Sequence, residues 1–267
     1  MCQDRRASAF LSPSDGISGV FVKKLLLIIV CYVFSCAASA NVIINSTRVI
    51  FPADAKSVSV QLINKSKEQH LVQSWIDDGR QNEKPENIST PFMVVPPVVK
   101  IQGNDGQVLR INYNDQARSL AKDRESLYWL NVLDIPPVPK NLDAAANYMQ
   151  VAIRSRIKIF WRPAGLKVSP ENIGRHLSLK RQNQYVCINN TSPFYLAAVQ
   201  LVRWDGKSTR VQQVKKQDNL ISKAVSVPPF TCQRLDAGKI SASGGSYQLT
   251  YIDDYGSRVP VTIDLVN

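Results

Sequence analysis

Histidine is almost absent from this chain of 267 residues. His70 and His176 are the only two, and neither stands at a metal-ligand spacing or in a nucleophile pattern. Both are expected to be packed or solvated imidazoles. The sequence therefore offers no catalytic residue, metal site or cofactor, and the chain is not expected to be an enzyme. Gly206-Lys207-Ser208 imitates the end of a phosphate-binding loop, but Leu201 stands where that loop needs its first glycine. Long apolar runs are missing too. The run Leu25 to Phe34 falls well short of the roughly 20 residues that span a bilayer, so no stable membrane insertion of the mature chain is expected. Helix-period patterns are few, and there is neither an internal repeat nor a low-complexity tract.

That short apolar run has a different meaning. Lys23 and Lys24 precede it and Ala38-Ser39-Ala40 follows it, which is the layout of a secretory signal peptide with a small-x-small cleavage site. Residues 1–40 are read as leader and the mature chain as starting at Asn41, in an exported compartment. Cys2, Cys31 and Cys36 leave with the leader, so Cys187 and Cys232 remain. An exported chain with one cysteine pair in its C-terminal half predicts an intradomain disulfide, the alternative being two free buried thiols. The leader also takes four basic and two acidic residues, leaving 29 against 19 and a net charge of +10, a balance that favours acidic partners.

From Asn41 the chain reads as strand after strand. Val42 to Phe51 alternates imperfectly, Ser57 to Ile63 cleanly, and Leu71 to Ile76, Phe92 to Val95, Val98 to Ile101, Gln107 to Tyr113 and Ser126 to Ile135 follow. Turn-forming residues separate them, residues 78–90 form a polar loop, and residues 138–147 make an alanine-rich connection. The longest pattern is Met149 to Pro163. Met149, Val151, Ile153, Ile157, Ile159 and Trp161 share one parity, while Arg154, Arg156, Lys158 and Arg162 share the other. This period of two predicts a strand with one apolar and one cationic face. A long apolar strand at a sheet edge invites pairing with another chain. After Pro163-Ala164-Gly165 the pattern restarts with Leu177 to Leu179, Tyr185 to Asn189, Tyr195 to Arg203, Val225 to Val227, Tyr247 to Ile252 and Val259 to Leu265. The reading is all-β: two immunoglobulin-like β-sandwich domains, 41–163 and 164–267.

Four stretches carry a resemblance: T-R-V-I-F-P at 47–52, E-S-L-Y-W-L-N-V-L-D-I-P-P at 125–137, I-K-I-F-W-R-P at 157–163 and Y-I-D-D-Y-G at 251–256. In this order and spacing the chain resembles the periplasmic chaperones of the chaperone–usher pathway, which assemble pili and fimbriae. The resemblance implies a boomerang, or L, of two domains that holds pilus subunits in the periplasm and delivers them to an outer-membrane usher. It implies that Met149, Val151 and Ile153 fill a groove in the subunit by donor-strand complementation. It also implies that Arg48 and Lys158 anchor the subunit's terminal carboxylate, and that Arg110, Glu125 and Asp254 bridge the two domains. The connection from Pro136 to Tyr148 lacks flanking cysteines, as in members that build rod-like pili. Glu68-Gln69-His70 lacks a proline that members often carry there. Arg156, a cation outside the motif, is expected to be dispensable.

Two other readings compete. The basic face of the long strand beside Phe160 and Trp161 suits nucleic acid, a ligand that an exported chain rarely meets. A secreted or surface immunoglobulin-like binding module without chaperone activity is the alternative that shares the fold.

Overall fold

A computed structural model describes residues 42–138, 148–182, 185–213, 215–235 and 245–266. The first half contributes β1 (Val42–Ile44), β2 (Arg48–Pro52), β3 (Ser57–Asn64), β4 (His70–Asp77), β5 (Phe92–Val95), β6 (Val98–Ile101), β7 (Gly106–Tyr113), β8 (Ser126–Ile135) and β9 (Ile153–Arg162). They form two sheets, ordered β1-β3-β7-β5 and β2-β9-β8-β4-β6. The imperfect run Val42 to Phe51 proves to be two strands, because the chain changes sheets between Ile44 and Arg48. β1 pairs antiparallel with β3, whereas β2 runs parallel to β9. A second change of sheet falls at Pro96-Pro97, where no ladder donor is available. Phe51, Leu62, Val72, Leu109, Ile111, Leu130 and Ile159 fill the space between the sheets. Trp161 packs there against Phe51, Phe92 and Tyr113 with ring centroids 5.2, 5.5 and 5.2 Å apart.

The second half contributes β10 (Leu177–Gln182), β11 (Tyr185–Asn190), β12 (Leu196–Arg203), β13 (Val225–Val227), β14 (Thr231–Leu235), β15 (Ser246–Ile252) and β16 (Arg258–Val266). The hydrogen-bonded order is β13-β12-β15-β16-β10-β11-β14, and the sheet folds over a second core of Leu179, Ile188, Leu196, Leu201, Tyr247, Leu249 and Ile263. β14 was not legible in the sequence. Its residues T-C-Q-R-L show no apolar alternation; it exists by pairing with β11, to which Cys232 is also tied by a disulfide to Cys187. The expected disulfide is thus present.

The two sandwiches share a device that no sequence repeat announces. The Asn64 side chain donates to the Glu68, Ile101 and Gln102 carbonyls and accepts from Ser66 N–H and Oγ. Asn190 donates to the Phe194, Val227 and Pro228 carbonyls and accepts from Ser192 in the same way. In each, the fully buried asparagine of an Asn-x-Ser turn pins the end of one strand to a neighbouring loop.

Candidate functional site

β9 is half core and half surface. Ile159 and Trp161 are buried, whereas Ile153, Val151 and Met149, on the same parity, are 46, 55 and 86 % exposed. The regular strand begins only at Ile153, not at Met149 as the sequence pattern suggested, because pairing with β8 starts at Asp134 opposite Ile153. β8 occupies one edge of β9 throughout. On the other edge β2 pairs only from Arg48 opposite Lys158 to Pro52 opposite Arg162. Among the described residues, the second edge of Ile153 to Ile157 therefore has no strand partner. Residues 139–147, most of the alanine-rich connection, lie outside the described residues.

Where β2 begins, two cations stand side by side. Arg48 and Lys158 are register partners, so their side chains leave one face of the sheet together. That face looks onto the second sandwich: Arg48 Nη1 donates to the Ile252 carbonyl at 3.1 Å, and Lys158 Nζ donates to Ser226 Oγ at 3.0 Å. Burial lowers the Lys158 pKa and the neighbouring Arg48 charge lowers it further. Burial also lowers that of Arg48, against the pull of Asp254, Asp253 and Glu125. Among the described residues, Arg48 Nε is buried without a hydrogen-bond acceptor. Two desolvated cations and an orphaned donor suit an anion with two oxygens.

Four residues beyond Lys158, Arg162 joins the sandwiches. Its Nε donates to Glu125 Oε1 at 2.8 Å, and Nη1 and Nη2 donate to Asp254 at 2.7 and 2.9 Å. Glu125 Oε2 accepts the Tyr195 amide at 2.8 Å. Burial pushes the Glu125 carboxyl up, against Arg162. Burial also works against the Arg162 cation, but Asp254 and Glu125 outweigh it and hold its proton more firmly than usual. Asp254 reaches this position from the β15–β16 turn, where the Asp253 carboxylate accepts the Tyr255 and Ser257 amides and Gly256 takes φ +86°. A cavity of about 400 Å³ opens beside the bridge, lined in part by Arg48, Phe160, Arg162, Tyr195 and Tyr255. The expected partner of Glu125 and Asp254 was Arg110, and this is corrected. Arg110 lies exposed on β7, which among the described residues pairs with β3 and β5 in the other sheet. The signal for Arg162 was in the sequence, since it shares the parity of Lys158 and directly precedes Pro163.

Sequence reasoning also passed over a polar cluster beside Lys158. Arg156 forms a bidentate ion pair with Asp77, whose carboxylate also accepts from Asn131 and from the Gly79 amide at 2.7 Å each. The Arg156 guanidinium lies 4.1 Å from the Trp129 ring centroid, and Lys158 Nζ lies 5.4 Å from it. Elsewhere, His70 is a core residue bonded to Asp134 at 2.6 Å. Gly206-Lys207-Ser208 is a turn whose Lys207 and Ser208 amides bond Asp205.

Two β-sandwiches bridged by a part-buried ion network, with exposed apolar residues leading along one strand to paired cations, make up the described fold and candidate site. Residues 41–167 match the family model described as pili and flagellar-assembly chaperone, PapD N-terminal domain, and residues 172–263 match pili assembly chaperone PapD, C-terminal domain. The chain belongs to this family of pilus-assembly chaperones, and it is a pilus subunit chaperone. It is 35 % identical over 242 residues to the chaperone protein MrkB of Klebsiella pneumoniae, covering 90 % of this chain and 98 % of that one. The crystal structure of the Pseudomonas aeruginosa CupB2 chaperone is 34 % identical, with a TM-score of 0.64 over 84 % of this chain and all of that one. The Salmonella enterica SafB chaperone, solved in complex with the SafA pilin, is 25 % identical, with a TM-score of 0.64 over 86 % and 99 % of the two chains.

Proposed function

We propose that the chaperone takes a subunit strand onto the open edge of β9, running parallel to it and ending at Arg48 and Lys158. The observation that carries this is the ladder itself: β2 lies parallel to β9 and starts at the residue pair that bears the two cations. A second strand of the same polarity, in line with β2, would finish where β2 begins and present its terminal carboxylate to both cations. A strand of opposite polarity would present an ammonium there, or drive its chain into β2. Met149, Val151 and Ile153 then project into the subunit's groove. Burying them contributes roughly 1.5 to 3 kcal/mol each, and each charge-assisted bond to the carboxylate about 1.5 to 3 kcal/mol.

The same reading covers the setting. A leader at residues 1–40 sends the chain to the periplasm, domains 41–163 and 164–267 form the cleft, and an outer-membrane usher receives the loaded complex. Complementation is non-covalent and needs no catalytic group. The Glu125–Arg162–Asp254 bridge sets the angle at which the second domain meets the bound chain end. Arg48→Ala and Lys158→Ala are each expected to leave a folded chain that recovers less than about a tenth of the co-expressed subunit when affinity-purified. Normal recovery with both variants would mean that the carboxylate is held elsewhere.

A further inference from the structure

Side-chain parity protects a donated strand against a slip of one residue, because every inserted side chain would then face the wrong way. It gives no protection against a slip of two. Only the anchor can distinguish the correct register from one displaced by two residues, about 6.6 Å along the strand. In this chain the position two residues before Lys158, on the same face, is Arg156. A guanidinium matches a carboxylate bidentately, which an ammonium cannot do, so a free Arg156 would be the stronger anchor in the wrong place.

The structure shows how Arg156 is occupied. Asp77, Trp129, Lys158 and Arg48 are successive register partners across β4, β8, β9 and β2, and Asn131 is the partner of Arg156. The Asp77 side chain is 2 % exposed and that of Arg156 17 %. Asp77 takes the Nε and Nη2 edge of Arg156, Trp129 stacks on the guanidinium, and Asn131 and Gly79 hold the carboxylate in place. The next cation on this face, Arg154, is exposed to water and bonded to the Gln81 carbonyl. We propose that Asp77, with Trp129, sequesters Arg156 so that a subunit carboxylate can settle only at Arg48 and Lys158; Asp77 is a register-determining residue that never touches the subunit. This rests on the reading of Arg48 and Lys158 as the carboxylate anchor.

Burial opposes the charge of Asp77, yet its bonds to Arg156, Asn131 and Gly79 prevail and lower its pKa, so the clamp stays ionised. With a negative charge already in contact, Arg156 offers little net attraction to a second carboxylate, whereas Arg48 and Lys158 keep theirs.

The test compares the full-length mature chain, Asp77→Asn, and Asp77→Asn combined with Arg156→Ala. Acetate is titrated into the free proteins while the arginine Nε–H signals are followed by ¹H–¹⁵N NMR, and co-expressed subunit is recovered by affinity purification. In the unaltered chain acetate should move Arg48 and leave Arg156 unmoved. Asp77→Asn should make Arg156 respond to acetate and lower subunit recovery about tenfold. Adding Arg156→Ala should restore recovery to within roughly twofold of the unaltered chain. A purely structural ion pair makes the opposite prediction for the double variant, which would then recover no more than Asp77→Asn alone, and that result overturns the proposal. An Arg156 signal that responds to acetate in the unaltered chain also overturns it. A silent Arg48 there refutes the anchor reading itself and this inference with it.

Discussion

Lys158 is a cation held where a cation is unwelcome. Half-buried and beside Arg48, it is less firmly protonated than a lysine in water, so the free chain carries an unfavourable charge that an arriving carboxylate relieves. The sign of the resulting pH dependence follows. A bound carboxylate raises the Lys158 pKa from its lowered free value, so between the two values binding takes up a proton. Affinity is then flat below that window and falls as pH rises through it, by up to about tenfold per pH unit. Isothermal titration in buffers of different ionisation enthalpy should detect the proton uptake. Affinity that rises with pH there would mean that Lys158 meets no negative charge. At this scale the sequence was informative about Arg48, Lys158, Glu125 and Asp254, which lie inside recognisable stretches. It was silent about the pairing of Arg156 with Asp77, because the two lie 79 residues apart in the chain.

β9 shows what alternation can and cannot reveal. Its two faces were legible from parity alone. The change from core to surface along one apolar stripe was not, since Ile157 and Ile153 look alike until the ends of β2 and β8 define which edge and face are covered. β14 was illegible for the opposite reason, having no apolar rhythm and being created by the ladder to β11 and the Cys187–Cys232 link. If the exposed stretch from Met149 into the start of β9 works outside its own domain, a charge there should affect capture and not folding. Val151 is 55 % exposed, so Val151→Asp should shift stability by no more than about 0.5 kcal/mol. Subunit recovery should fall at least about tenfold. Urea unfolding and co-purification measure the two. A stability loss of about 2 kcal/mol or more would place Val151 in the chain's own core.

Over the whole molecule, the function depends on how segments far apart in sequence converge. Arg162 holds Glu125 and Asp254 together, and Arg48 and Lys158 each bond to the second sandwich. Strand patterns revealed two sandwiches, but that Arg162 and not Arg110 bridges them follows from the sheets they occupy, β9 in one and β7 in the other. The disulfide was a long-range tie legible beforehand, on the expectation that a leader carries off the other three cysteines. The subunit is proposed to pair on the open edge of β9. Hydrogen exchange, mapped over the whole chain with and without bound subunit, reads that pairing out amide by amide. In the free chain the amides of residues 149–157 that face away from β8 should exchange fast, and in the complex they should become protected, with lesser changes around Arg48 and Ser226. Unchanged exchange across residues 149–157, with new protection on other strands, would place the subunit elsewhere on the chaperone.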